Sequence, residues 1–200
     1  MAQELKQWLN TDYLHATALQ HIAHAYQQNK ALPSVQLHAF LNVNKFHMLQ
    51  HDAIRAQKIL CSVPDMFVYH KVKPCGVMLS FERALRSQAF AQLLSFITGR
   101  KVACANIEWQ SFKHRHYTIL HDKLKQERGI YLLFDLTSLW GAAWGGYTYI
   151  VNEGEELARL APQANAVTLF TLAGKVQHFT KYVNYRAGKN RRVVLVARFK

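Results

Sequence analysis

Two histidines stand on separate strand-like runs: His121 at the end of HYTILHD and His178 inside VQHFTKYV. Two imidazoles from distant strands and one carboxylate can fill one face of a non-haem iron and leave the opposite face open. The carboxylate of such a set stands two residues after the first histidine, because residues i and i+2 of a strand point the same way. Here Asp122 and then Lys123 follow His121, so the nearest carboxylate is one residue out of step and an ammonium takes the place of an anion. The chain has 11 histidines, and a pair of this kind also arises among ordinary core or surface histidines.

Other groups with chemical capacity surround this pair. His114 and His116, in HRH, alternate on the run that leads to His121 and are expected on a solvated rim. Glu127 is a further carboxylate. Asp135 lies inside an apolar run far along the chain from His121 and reads as structural. Glu153, Glu155 and Glu156 read as a solvated acidic turn. Residues 181–200 hold Lys181, Arg186, Lys189, Arg191, Arg192, Arg198 and Lys200 with no acid, beside Tyr182 and Tyr185. Cations interleaved with aromatic faces suit RNA or another phosphate-rich ligand, and a plain solvated face explains them as well.

The elements that must position these groups follow from the rest of the chain. With 200 residues, half of them apolar and 18% charged, the composition is that of a globular domain able to bury its own core. There are 25 Lys+Arg against 12 Asp+Glu, a formal net charge of +13. That excess favours acidic or polyanionic partners through its long-range field. Cys61, Cys75 and Cys104 are an odd number without CxxC spacing, which argues against a disulfide framework or a zinc knuckle and fits a cytoplasmic protein. The N-terminal residues lack the apolar core of a signal peptide, and no run is long enough to predict a membrane span.

Apolar residues at helical spacing predict helix from Leu5 to about Ala23, with Thr11 or Asp12 capping a second helix. Val35–Asn42 alternates as a strand, Lys45–Leu60 reads as a helix anchored by Phe46, Leu49, Ile54 and Ile59, and Phe67–Lys71 as a strand. Ser80–Thr98 reads as one helix closed by Gly99. Beyond residue 101 the texture becomes β-rich: Val102–Trp109, Arg115–His121, Ile130–Leu136, Gly146–Val151, Ala166–Leu172, Val176–Tyr182 and Arg192–Phe199, separated by glycine turns. Short strands at this spacing predict a sandwich or barrel. The organisation is α+β in one domain over 1–200, with 1–100 mainly helical support carrying early strands and 101–200 forming the β-barrel.

From about Leu37 to Phe199 the chain resembles the 2-oxoglutarate- and Fe(II)-dependent oxygenases of prolyl-hydroxylase type, and most of all those that hydroxylate a proline of a ribosomal protein. LHAFLNVNKF, FAQLLSFITG, HYTILHD, IYLLFDLTSLWGAAWGGYTYI, LAPQANAVTLF, HFTKYV and RRVVLVARF are similar, in order, to successive pieces of that family. The resemblance implies a double-stranded β-helix, a jelly-roll or cupin-like barrel, buttressed by N-terminal helices. It implies Fe(II) and 2-oxoglutarate as cofactors, His121 as the proximal and His178 as the distal metal ligand, and Arg192 as the anchor of the far carboxylate of 2-oxoglutarate. Arginine suits that task because its planar fork binds a carboxylate in two places. Tyr117 is a candidate donor to the same co-substrate. Trp140, Gly145, Gly146 and Asn165 are implied to shape loops. A register error of one residue would exchange Arg191 for Arg192.

The family's His-x-Asp becomes His121, Asp122, Lys123 here. A lysine at the carboxylate position weakens the hold on a divalent cation. Three readings follow. Asp122 can swing in through a bulge as the third ligand, two histidines can hold the metal with water or an outside anion, or Lys123 can occupy the metal's place. The implied activity is a dioxygenase that decarboxylates 2-oxoglutarate and hydroxylates a C–H bond, with a prolyl residue of a protein or peptide as the implied substrate. The alternative is a catalytically degenerate barrel that binds nucleic acid or an acidic partner.

Overall fold

The computed structural model describes residues 5–120 and 128–200. Eleven strands and four α-helices can be followed in chain order among them. The helices are α1 (Ala16–Gln28), α2 (Val43–Arg55), α3 (Val77–Arg86) and α4 (Gln88–Thr98). The strands are β1 (Ser34–Leu37), β2 (Lys58–Val63), β3 (Phe67–Val72), β4 (Cys104–Phe112), β5 (Tyr117–Thr118), β6 (Gly129–Asp135), β7 (Thr148–Asn152), β8 (Glu155–Leu160), β9 (Ala166–Leu172), β10 (Val176–Thr180) and β11 (Arg192–Phe199). All pairings between them are antiparallel. The larger sheet runs β1-β9-β6-β11-β4-β3-β2, with β5 beside β3, and the smaller runs β10-β7-β8.

Strand alternation divides the core in two. On β11, Val193, Leu195, Ala197 and Phe199 point to the helices, and Val194 and Val196 point into the space between the sheets. On β6, Ile130, Leu132 and Phe134 join the helical side while Tyr131 and Leu133 face the barrel. The helical core is rich in aromatic contacts, among them Trp8–Phe81 at 5.0 Å, Phe81–Phe134 at 5.8 Å and Phe90–Phe199 at 5.9 Å between ring centroids. Both faces of the central strands are therefore buried, which is why IYLLFD and RRVVLVARF read as apolar runs rather than clean alternations.

Several boundaries differ from the sequence reading, each for a local reason. The helix expected over 45–60 stops at Arg55 because the Ala56 N–H donates to Asp52 O and the Lys58 ammonium donates to the carbonyls of Ile54 and Ala56. Ile54 and Ile59, expected as anchors, are exposed, and Phe46, Leu49 and Ala53 carry the burial. The single helix expected over 80–98 is two. The Ser87 hydroxyl donates to Ala84 O and accepts from Phe90 N–H, ending α3 and capping α4. Asn10, rather than Thr11 or Asp12, caps a short 3-10 turn over Thr11–Leu14. The strand expected to Asn42 ends at Leu37, and Asn42 caps α2. Glu155 and Glu156, expected in a turn, open β8.

Asn165 clamps the support to the barrel. Its side-chain oxygen accepts from Leu41 N–H at 2.9 Å and its amide donates to Leu41 O at 2.9 Å, while Asn165 O accepts from Phe40 N–H. Its φ of 54° is in the left-handed region that asparagine tolerates better than most residues. Asn165→Ala strands a buried N–H and C=O of Leu41 and is expected to lower unfolding free energy by about 3 kcal/mol in urea titrations. Asn165→Asp, which sets a carboxylate oxygen against the Leu41 carbonyl, is expected to lose at least as much.

Candidate functional site

The alternation that divides the core also selects which groups enter the barrel. Arg192 shares the interior face of β11 with Val194 and Val196, and Asp135 shares that of β6 with Tyr131 and Leu133. His178 shares that of β10 with Val176 and Thr180. Arg191, one residue earlier, is exposed on the opposite side.

Arg192 is fully buried, with no exposed surface. Its Nε donates to Asp135 Oδ2 at 3.0 Å, and its Nη1 donates to Gly146 O at 2.7 Å and to Thr148 Oγ1 at 2.8 Å. Its Nη2 has no hydrogen-bond partner among the described residues. Asp135 is 3% exposed and also accepts from Thr137 N–H at 2.9 Å, and the Thr137 hydroxyl accepts from Val193 N–H. Burial pushes the Asp135 carboxyl up, and the Arg192 charge and the Thr137 bonds pull it back. The loop predicted to shape this region does so. Trp140 Nε1 donates to Gly145 O, and Gly145, at φ 74°, lies so close to the Tyr182 carbonyl that a side chain there would collide. The next carbonyl, that of Gly146, is thereby presented to Arg192.

His178 packs edge-on against Tyr131 at 5.3 Å and Phe170 at 5.8 Å between ring centroids, and retains only part of its surface. Desolvation by these neighbours, then the Arg192 charge, lowers its pKa to about 4, so the ring is neutral at physiological pH. A neutral imidazole is the form that ligates a metal. His121, Asp122, Lys123 and Glu127 lie outside the described residues. Tyr117 is half-buried on β5, its ring 6.3 Å from that of Tyr182.

His114 and His116 are not a solvated strand pair. Lys113–His116 forms a turn closed by His116 N–H to Lys113 O, and His116 is 3% exposed with its ring 4.7 Å from that of His70. Burial lowers its pKa to about 4. The basic C-terminal segment is likewise not one surface. Arg192 is inside, Lys181 lies over the Tyr149 ring, and Lys189 and Arg191 line a cleft on the other face of the larger sheet. Sequence reasoning passed over Asp135, Gly146 and Thr148 as partners of Arg192. The signal for Asp135 is present: it is the one charged residue of IYLLFD, in phase with Tyr131 and Leu133.

Comparison with known proteins adds the following. A family model described as "Oxoglutarate and iron-dependent oxygenase degradation C-term" matches residues 71–200. A prolyl 3-hydroxylase of Xenopus laevis is 26% identical over 232 residues, covering 92% of this chain and 44% of that protein. The corresponding protein of Mus musculus is 31% identical over 83 residues, covering 40% of this chain and 15% of that protein. The chain thus spans less than half the length of these curated relatives. Among solved structures, a prolyl hydroxylase from Trichoplax adhaerens, in complex with a peptide fragment of the hypoxia inducible factor oxygen degradation domain, superposes with a TM-score of 0.68 at 13% identity, covering 92% of this chain and 89% of that one. A prolyl-4-hydroxylase of Pseudomonas putida superposes with a TM-score of 0.66 at 15% identity, covering 90% and 98%. At these identities the structures establish the fold, the double-stranded β-helix expected from the sequence.

Two measurements test the site's electrostatics. Arg192→Met leaves Asp135 buried without its counter-charge and is expected to cost about 3–5 kcal/mol of stability, much of it recovered in the Arg192→Met, Asp135→Leu double variant. Unfolded histidine takes its proton near pH 6.5, whereas folded His116 and His178 take theirs only near pH 4. Their contribution is therefore complete above about pH 6.5 and is lost as pH falls toward 4. Replacing His116 by Gln is expected to flatten the pH dependence of unfolding free energy across that window.

Proposed function

The chain belongs to the oxoglutarate- and iron-dependent oxygenase degradation C-terminal family, and we propose from this premise that it is a 2-oxoglutarate- and Fe(II)-dependent dioxygenase. Its substrate is a C–H bond of a prolyl residue carried by a protein or peptide. The names of the relatives support the substrate class: prolyl 3-hydroxylase in one case, and a prolyl hydroxylase bound to a peptide fragment in another. The observation that carries the reading is the buried guanidinium of Arg192, whose Nη2 has N–H groups unpartnered in a barrel interior that also contains the neutral ring of His178. An unsatisfied charged donor in such a place suits the far carboxylate of 2-oxoglutarate. We assign Arg192 to that carboxylate, with Tyr117 as a candidate second donor, and His178, His121 and Asp122 to the metal. When bound, Fe(II) would activate dioxygen, the oxidant, whose one oxygen atom goes to succinate as 2-oxoglutarate loses CO2 and whose other goes to the hydroxylated C–H bond.

The chain's own residues set the conditions. Asp135, Gly146 O and Thr148 hold the guanidinium in one orientation before any ligand arrives. Tyr131 and Phe170 hold the His178 ring and exclude water from its sides. Asp135 also imposes a charge condition, because an incoming carboxylate must share Arg192 with a carboxylate already bound. That same observation favours a second reading. A barrel whose anchor is neutralised from within, and whose metal-binding position carries Lys123, is a binding module for an acidic partner. Nucleic acid is the weaker form of that reading. We further propose that residues 1–200 act as one unit and, because Cys61, Cys75 and Cys104 are free, that the protein works in the cytoplasm.

Succinate formation from 2-oxoglutarate by the purified Fe(II)-loaded chain decides between the readings. Turnover is expected in the native protein and absent in His178→Ala. Asp135→Asn is expected to tighten 2-oxoglutarate binding about tenfold by removing the competing charge. Absence of both turnover and 2-oxoglutarate binding in the native protein and in Asp135→Asn would establish the binding module instead.

A further inference from the structure

The larger sheet carries a second polar site on the face away from the barrel. A cleft of about 560 Å³ lies between the C-terminal half of α2, the segment after β6, the first residue of β2 and the residues that lead into β11. Three cations line it, Lys58, Lys189 and Arg191, and no carboxylate does. None of the three has an ion-pair partner among the described residues. Lys58 is fixed, its ammonium donating to Ile54 O at 2.7 Å and Ala56 O at 3.0 Å. An ammonium has three donors, so one N–H remains. Two exposed apolar side chains, Ile54 and Leu139, also line it.

The sheet behind the cleft adds unsatisfied polarity. Ser111 pairs in register with both Val193 and His70, so the three share one face, and Val193 lines the cleft. Ser111 is fully buried and its Oγ has no partner, and the buried Nδ1 of His70 has none either. The Lys58 ammonium is held below its usual pKa by burial and then by the Arg191 charge, and His70 is lowered by burial and then by Arg191, Lys113 and Lys58. Cations near enough to depress one another mark a place where a multiply charged anion relieves repulsion.

We propose that this cleft binds a small phosphate ester of nucleoside-monophosphate size, with its phosphate between Lys58, Lys189 and Arg191 and its organic part against Ile54 and Leu139. Arg191 presents a planar fork suited to two phosphate oxygens, and the lysines act as point charges. A volume of about 560 Å³ falls within the usual range for a small-ligand site and exceeds what a bare anion requires. Arg191 and Arg192 are thus adjacent in sequence and serve two sites on opposite faces of the sheet. The inference does not depend on hydroxylase activity.

The test is calorimetric titration of the full chain with 5′-AMP, inorganic phosphate and pyrophosphate at low salt. Binding of 5′-AMP is expected, weakened about tenfold or more by Arg191→Gln and by Lys189→Gln, each losing one charge-assisted contact. Lys30→Gln, at an exposed lysine elsewhere, is expected to change nothing, and circular dichroism of all three variants is expected to match the native protein. Tighter binding of 5′-AMP than of phosphate supports the proposal, and phosphate binding as tightly as 5′-AMP overturns the assignment of a phosphate ester. No binding of any of the three ligands overturns the proposal. So does equal weakening by Lys30→Gln, which would indicate only the general positive field. Binding of a single-stranded RNA without 5′-AMP, unmoved by Arg191→Gln, also overturns it. Each of these results is independent of whether succinate is formed.

Discussion

The ion pair of Arg192 and Asp135 is the constraint around which the barrel is arranged. A charge removed from water is costly unless paired and hydrogen-bonded, so a buried guanidinium dictates its neighbours. Here they come from three places: Asp135 at the end of β6, Gly146 in the glycine turn and Thr148 at the start of β7. Thr137 extends the chain of bonds from Asp135 to the Val193 backbone. The pair therefore joins the larger sheet to the smaller one. The rings of Tyr131 and Phe170 pack around His178 farther along the same interior. The barrel is thus fastened by charge near Arg192 and by aromatic packing near His178.

The same alternation that places Arg192 inside distributes the rest of the positive charge. The formal excess of +13 suggests a uniformly basic surface. The fold sets part of the basic charge apart: Arg192 is neutralised inside by Asp135, Lys181 lies over the Tyr149 ring, and Lys58, Lys189 and Arg191 line a cleft beside α2. Net charge alone cannot show this, because neighbouring residues of a strand face opposite environments.

Much of the barrel is legible in the sequence. β9 and β11 begin and end where the sequence reading places them, because long β-branched runs bounded by turn residues leave little choice. The support region is less legible. One helix becomes two at Ser87 because a single hydroxyl both accepts from the following turn and donates to the preceding one, and helical periodicity passes through that point undisturbed. β8 escapes notice because Glu155 and Glu156 make its start look like a loop, as befits an exposed edge strand of the smaller sheet. Resemblance and spacing single out Arg192 and His178, and the fold brings both into the barrel interior. The contact with Asp135 cannot, since it depends on two residues 57 apart meeting across paired strands. His116 shows the converse: a polar HRH triplet reads as surface, yet the turn at Lys113 folds its last imidazole inward against His70.

The position of β11 bears on how the molecule is made. This strand lies between β6 and β4 in the middle of the larger sheet, yet every other strand precedes it in the chain. During synthesis the two flanking strands must wait, their facing edges unpaired, until β11 arrives to fill the gap. Until then β4 and β6 have no common neighbour, the helical and barrel cores lack their shared wall, and Asp135 has no counter-charge. Folding is therefore a late, concerted closure rather than a progressive build from the N-terminal side. For that interval the nascent chain presents two unpaired sheet edges, each a template for pairing with another chain.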